Sequence, residues 1–212
     1  MIARGRFITF EGGEGAGKST QVRHLAAALR RRGRDIVTTR EPGGAPGAEE
    51  IRALLVSGAA GRWSPVTETL LHFAARRDHL ERTVWPALER GAWVISDRFS
   101  DSTMAYQGYG LGFDRDIIVR IYANVIGRFY PDLTLMLDLP AEAGLARAQA
   151  RSAADRYEGM EIGFHRRLRE GFLDIAAHDP RRCAVIDAAG TEEAVAAEIL
   201  EVVDRRLPAP AP

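Results

Sequence analysis

Residues 12–19 read Gly12-Gly13-Glu14-Gly15-Ala16-Gly17-Lys18-Ser19, a full match to G-x-x-x-x-G-K-[ST]. Glycines at this spacing let successive backbone N–H groups turn inward around phosphate oxygens. The lysine then reaches the β- and γ-phosphates of a nucleotide, and the serine hydroxyl offers an oxygen to Mg²⁺. A helix beginning here adds the partial positive charge of its N-terminus. One composition fact points the same way. Of the 29 basic residues, 28 are arginine, and the single lysine is Lys18. A compact ammonium fits among oxygens in a tight pocket where a planar guanidinium does not.

Such a loop needs a strand before it and a helix behind it. The apolar run 7–10 (FITF) precedes it, and a helix-compatible stretch covers 18–32. Further short apolar runs lie at 36–39, 93–96, 133–139 and 184–187, separated by helix-compatible stretches near 47–57, 66–90, 114–127, 140–151, 160–177 and 191–206. Strands alternating with helices predict an α/β fold with a five-stranded parallel sheet and helices on both faces. Ligands of such sheets bind beyond the carboxyl ends of the strands. Polar groups gather at those ends: Glu11 and the glycines after the first run, Arg40-Glu41-Pro42-Gly43-Gly44 after the second, Asp97-Arg98 after the third.

Length and composition remove several classes. A chain of 212 residues fits one generous domain, here expected over 1–207 with a disordered tail at 208–212. Charge balances at 29 basic against 29 acidic residues, so no global field recommends nucleic acid or an anionic membrane. A single cysteine, Cys183, excludes an internal disulfide and a cysteine-based zinc site. His24, His72, His79, His165 and His178 show no H-x-x-x-H spacing. No apolar run approaches 18 residues and no long apolar leader begins the chain, so a cytoplasmic protein is expected.

The phosphate loop announces a nucleotide, not a reaction. Asn124 is the only asparagine, so the N-K-x-D motif that reads guanine is absent. Arginines at several strand ends favour a small-molecule kinase, whose second phosphate needs its own cationic cradle. Thr39 followed by Arg40-Glu41-Pro42-Gly43-Gly44, then Asp97-Arg98-Phe99, then Ala105-Tyr106-Gln107-Gly108, then Arg151 within 147–158, follow the loop in that order. With the loop, this series resembles the bacterial thymidylate kinases, P-loop nucleoside monophosphate kinases, over residues 5–206.

The resemblance implies a P-loop kinase fold with a short lid near 146–158, a homodimer through long helices such as 66–90, and the substrates ATP and dTMP. It implies that Gly12 to Ser19, with Thr20, hold the ATP phosphates and that Glu14 turns toward the 3′-hydroxyl of dTMP. Arg98, Arg52 and Arg40 would grip the dTMP phosphate, while Ser19 and Asp97 would organise Mg²⁺. Arg76 would meet the thymine edge. Ser102, Thr103 and Gln107 would lie along the nucleoside, with Tyr106 against C2′ of the sugar. Lys18, Arg98, Asp97 and Arg151 form the catalytic set, Arg151 closing over the transferring group from the lid. Two departures stand out. Where the family places a phenylalanine four residues before Arg76, this chain has His72, with Phe73 beside it, and either ring shares a helical face with Arg76. Gln149 stands where another lid arginine is common, and Gly15 leaves the loop without an arginine of its own. Two other readings stay open: a kinase for a different nucleoside monophosphate, and a regulatory P-loop ATPase.

Overall fold

The computed structural model describes residues 4–58, 61–150 and 157–208. The apolar runs become β1 (Phe7–Glu11), β2 (Ile36–Arg40), β3 (Trp93–Asp97), β4 (Leu133–Asp138) and β5 (Cys183–Asp187). All pair in parallel, in the order β2-β3-β1-β4-β5. β1 is central and fully buried, as a run without polar alternation must be when both sheet faces are covered. The helices are α1 (Lys18–Arg31), α2 (Pro46–Val56), α3 (Pro65–His79), α4 (Trp85–Glu89), α5 (Ser100–Thr103), α6 (Arg115–Val125), α7 (Ala141–Gln149), α8 (Ile162–His178) and α9 (Glu192–Arg206). None is long and apolar enough to cross a membrane among the described residues.

Alternate strand residues divide the core. Ile8, Phe10, Leu133, Leu135 and Ile186 pack with Val22, Leu25 and Leu29 of α1 and Val195, Ile199 and Val203 of α9. On the other face, Phe7 and Val94 pack with Phe73, Leu80, Leu88 and Ile118. Met136 and Cys183 meet Phe164, Leu168 and Phe172 of α8 there. Cys183 is thus a small core residue, and burial pushes its thiol up to about 12.

Two elements differ from the sequence reading. The stretch 66–90 is two helices, α3 and α4, joined by a π-helical turn at Leu80–Val84. Pro86 lacks an N–H and its ring crowds the carbonyl four residues earlier, so the regular ladder is interrupted just before it. A helical segment at 100–110, α5 continuing into a second π-helical turn at Met104–Gly110, was not anticipated. Its two glycines and polar residues give no apolar period.

The phosphate loop is pinned from above by α7. A Cβ on Gly15, where φ is +68°, would lie 1.9 Å from the Gly144 carbonyl oxygen, and one on Gly144 would lie 2.3 Å from the Glu14 carbonyl oxygen. Backbone meets backbone here with no side chain between. Ala in a helix is ordinarily favoured over Gly by about 1 kcal/mol, whereas overpacking costs about 1–3 kcal/mol. Gly144→Ala is therefore expected to destabilise the protein in urea unfolding despite its better propensity; a gain in stability would show that α7 can step away from the loop.

Candidate active site at the strand ends

The loop after β1 turns through positive φ at Gly12, Gly15 and Gly17. No side chain caps α1 at Gly17 and no acidic residue sits in its first turn, so the helix N-terminus is left to an anion. Lys18 Nζ donates to the carbonyls of Gly12 (3.1 Å) and Gly13 (2.7 Å). Burial, with Arg98 nearby, lowers its pKa to about 8, against the opposing pull of Glu14, Asp97 and Glu11. Ser19 Oγ donates to Asp97 Oδ2 at 2.5 Å, joining the first turn of α1 to the end of β3. Thr20 follows, its hydroxyl accepting from Arg23.

Arg98 has φ +71°, the only non-glycine in the left-handed region among the described residues. Such a conformation costs roughly 1–2 kcal/mol and persists only when its neighbours over-determine it. They do. The Arg98 N–H donates to Phe10 O, Ser96 Oγ donates to Arg98 O, and the Phe99 N–H donates to Glu11 Oε1 at 2.7 Å. The strained turn aims the guanidinium inward. Nη2 donates to Glu14 Oε1 (2.9 Å), while Nη1 reaches Ser102 Oγ (3.1 Å) and Gly12 O (3.3 Å). The guanidinium also lies over the Tyr106 ring, whose hydroxyl donates to the same Glu14 oxygen. Burial would raise the Glu14 pKa, but Arg98, Lys18 and the Tyr106 hydroxyl outweigh it and hold it near 2.

Beside the loop opens a cleft. Glu14, Arg52, His72, Arg76, Arg98, Ser102, Thr103, Tyr106 and Gln107 all line it, so nine residues singled out in the sequence meet in one place. Arg52 Nη1 donates to Pro42 O. Arg76 is almost wholly buried, with Nε on Glu41 Oε2 (2.7 Å) and Nη2 on Phe99 O and Thr103 Oγ1.

Other expected residues go elsewhere. Phe73 is in the core against Tyr122, and its ring lies 4.9 Å from the Arg76 guanidinium. Of the two rings that the sequence left open, Phe73 is directed inward from α3, and His72, one position earlier, is the one that lines the cleft. Arg40 is exposed and paired with Glu49; it does not line the cleft. Arg147 donates to the carbonyls of Ala188 and Ala189, tying α7 to the segment after β5. Arg151 and residues 152–156 of the expected lid lie outside the described residues.

Two contributors, Glu68 and Tyr157, were not read from the sequence, and Glu11 was read only as a polar group at a strand end. Glu68 lies four residues before His72 and eight before Arg76, a helical spacing that carried the signal; its carboxylate accepts from Gln107 and from the Tyr157 hydroxyl. Tyr157, which packs edge-on against Tyr106, had no periodic signature. Glu11 is fully buried, accepting from the Phe99 N–H and the Ser102 hydroxyl. Burial, and then Asp101, raise its pKa to about 8.

Between the ordinary carboxyl value of 4.5 and about 8, the native state therefore holds a proton at Glu11 that the unfolded chain has released. Stability should fall as pH rises through that window. Glu11→Gln is expected to flatten this slope in denaturant titrations between pH 5 and 8; an unchanged slope would place the titration elsewhere.

This geometry has known counterparts. A family model described as thymidylate kinase matches residues 10–199. A thymidylate kinase of Caulobacter vibrioides is 58% identical over 206 residues, covering 97% of this chain and 99% of that one. One from Gluconobacter oxydans is 52% identical, with 98% of each chain covered. The crystal structure of thymidylate kinase from Ehrlichia chaffeensis superposes with a TM-score of 0.78 at 35% identity, covering 94% of this chain and 99% of that one. Sheet order, phosphate loop and near-full-length similarity converge on one conclusion: this chain belongs to the thymidylate kinase family.

Proposed function

We propose that the chain transfers the γ-phosphoryl group of Mg·ATP to dTMP, giving ADP and dTDP, as a cytoplasmic homodimer. One observation carries the reading. Arg98 reaches the Gly12 carbonyl of the phosphate loop while lining the adjoining cleft, so one guanidinium stands where donor and acceptor phosphates would meet. Exposed Val66 and Leu70 on α3 and Val119 on the adjoining α6 support the dimer.

A phosphomonoester is mostly dianionic at pH 7, its second pKa being about 6. An acceptor oxygen attacks the γ-phosphorus, the bond to the bridging oxygen breaks, and ADP leaves with the electron pair. No proton has to be abstracted, so catalysis rests on alignment and on neutralising the equatorial oxygens. Lys18 leaves its loop carbonyls for the donor phosphates. Arg98 exchanges Glu14 for the acceptor phosphate, with Arg52 beside it, which frees Glu14 for the 3′-hydroxyl. Ser102, Thr103 and Gln107 flank the nucleoside, Tyr106 crowds the 2′ position and Arg76 meets the base edge. Arg151, from the lid, is assigned the donor that engages on closure.

The oxygens of Ser19 and Asp97 suit a hard cation. No group of three metal-ligating side chains occurs among the described residues, which fits an ion held largely by substrate phosphates and water. Mg²⁺, when bound, neutralises the β- and γ-phosphate oxygens.

The reading is tested by coupled ADP release across the common nucleoside monophosphates. ADP should form fastest with dTMP, less with dUMP, least with ribonucleotides, and hardly at all without an acceptor; acceptor-independent turnover would instead indicate an ATPase. Lys18→Ala should lower kcat by about 10²–10³, the scale of one lost transition-state donor, with the fold unchanged by circular dichroism. His72→Ala should raise the KM for dTMP about fivefold or more, in line with about 1–3 kcal/mol for a base stacked on an aromatic ring. His72→Phe should retain that KM, and the KM for ATP should not move in either variant.

A further inference from the structure

Arg76 is one end of a buried polar chain that the reaction does not explain. His79, the last residue of α3, has no solvent exposure. Its Nδ1 is 2.9 Å from Glu41 Oε1 and its Nε2 is 2.7 Å from Thr39 Oγ1. The other Glu41 oxygen accepts from Arg76 Nε. Arg76 is further fixed by Phe99 O and Thr103 Oγ1, and lies between the rings of Phe73 and Phe99, at 4.9 and 5.2 Å. Every contact so far uses Nε or Nη2. Nη1 is buried and has no hydrogen-bond partner among the described residues, yet Arg76 lines the cleft. A buried guanidinium nitrogen without an acceptor costs free energy, and a ligand acceptor at that point would remove the deficit.

The chain is tightly set. A Cβ on Gly44, at φ +81°, would lie 2.3 Å from Thr39 Oγ1 and 2.7 Å from the His79 ring, so the turn after β2 rests directly on the imidazole. Any buried histidine needs partners for both nitrogens; what sets this one apart is that its carboxylate partner also holds the cleft arginine.

We propose that His79 is a positioning residue: through Glu41, and braced by Thr39, it fixes the Arg76 guanidinium so that Nη1 presents a donor to a carbonyl on the pyrimidine edge. The inference rests on the proposed binding of dTMP in this cleft. A donor held in one orientation rewards a ring carbonyl and rejects an amino group at the same place, and sites built on buried hydrogen bonds discriminate strongly. Loosening the carboxylate lets the guanidinium turn, so acceptor binding and selectivity weaken while the donor site, across the loop, is untouched.

The test compares His79→Phe, which keeps the ring volume without hydrogen bonds, with His79→Asn, which keeps a side-chain N–H near Nδ1. Thr39→Val, which removes only the brace, serves as the variant least disturbing to folding. With the wild type as reference, steady-state kinetics are run with dTMP, dCMP and ATP varied. His79→Phe should raise the KM for dTMP about tenfold and narrow the dTMP over dCMP preference, with kcat and the KM for ATP within about twofold. His79→Asn should recover most of the loss, and Thr39→Val should show a smaller shift of the same kind. If His79→Phe matches or outperforms His79→Asn, or if Thr39→Val moves kcat and both KM values together, the side chain is only packing and the proposal fails. A wild type that does not use dTMP would overturn the proposed function itself, a result separable from any difference among the variants.

Discussion

The site depends on one electrostatic constraint: the cations Arg98, Arg76 and Lys18 are kept out of water, and each therefore needs internal acceptors, carboxylates for the two arginines and backbone carbonyls for the lysine. Arg98 and Glu14 are the clearest case, a pair with side chains only 17% and 13% exposed. Removing either partner from such a pair would leave an uncompensated buried charge, which commonly costs about 3–5 kcal/mol. The arrangement reaches outward from there. The left-handed turn at Arg98 requires Glu11 beneath it, and Ser102 links the Glu11 carboxyl to the Arg98 guanidinium. Arg76 has Glu41, whose side chain is 3% exposed. Further from the cleft, Arg182 takes Asp101 and Asp179, which locks α5 to the start of β5.

These pairs show how a chain with no net charge gathers cations at one cleft. The field is local, and it is made by which carboxylates are held close and which phosphate-seeking groups are left to exchange partners. Lys18 is held by carbonyls rather than by a carboxylate. Its ammonium is therefore the more easily handed to a ligand, at the cost of a depressed pKa.

Much of this was legible in the sequence because the motifs are local. The phosphate loop, the five strands and the strand-end arginines are each specified by a few consecutive residues, and the sheet only has to bring the ends together. What escaped notice is mostly non-local. Glu41 lay in a recognised motif, but its bond to Arg76 spans 35 residues and depends on α3 crossing the end of β2. The choice between His72 and Phe73 turned on about 100° of helix rotation, which packing against Tyr122 decides and the bare spacing does not. The break in the long helix was present as Pro86, yet its form, a widened turn rather than a stop, follows from tertiary packing around Leu80 and Val84.

The Glu14 carboxylate has one more consequence, for what the enzyme ignores. Being tethered one residue from the loop's glycines, it meets Arg98 at the high effective concentration of an intramolecular partner, millimolar or above for short tethers. A free monoanion of low affinity must displace that built-in competitor before it gains a contact. On the proposed reading, a nucleotide would do so with additional grips at Arg52, Arg76 and the nucleoside side chains, whereas inorganic phosphate has only its charge. On that reading the internal ion pair would act as a threshold on ligand size, filtering out small anions in favour of a phosphate that arrives with its base.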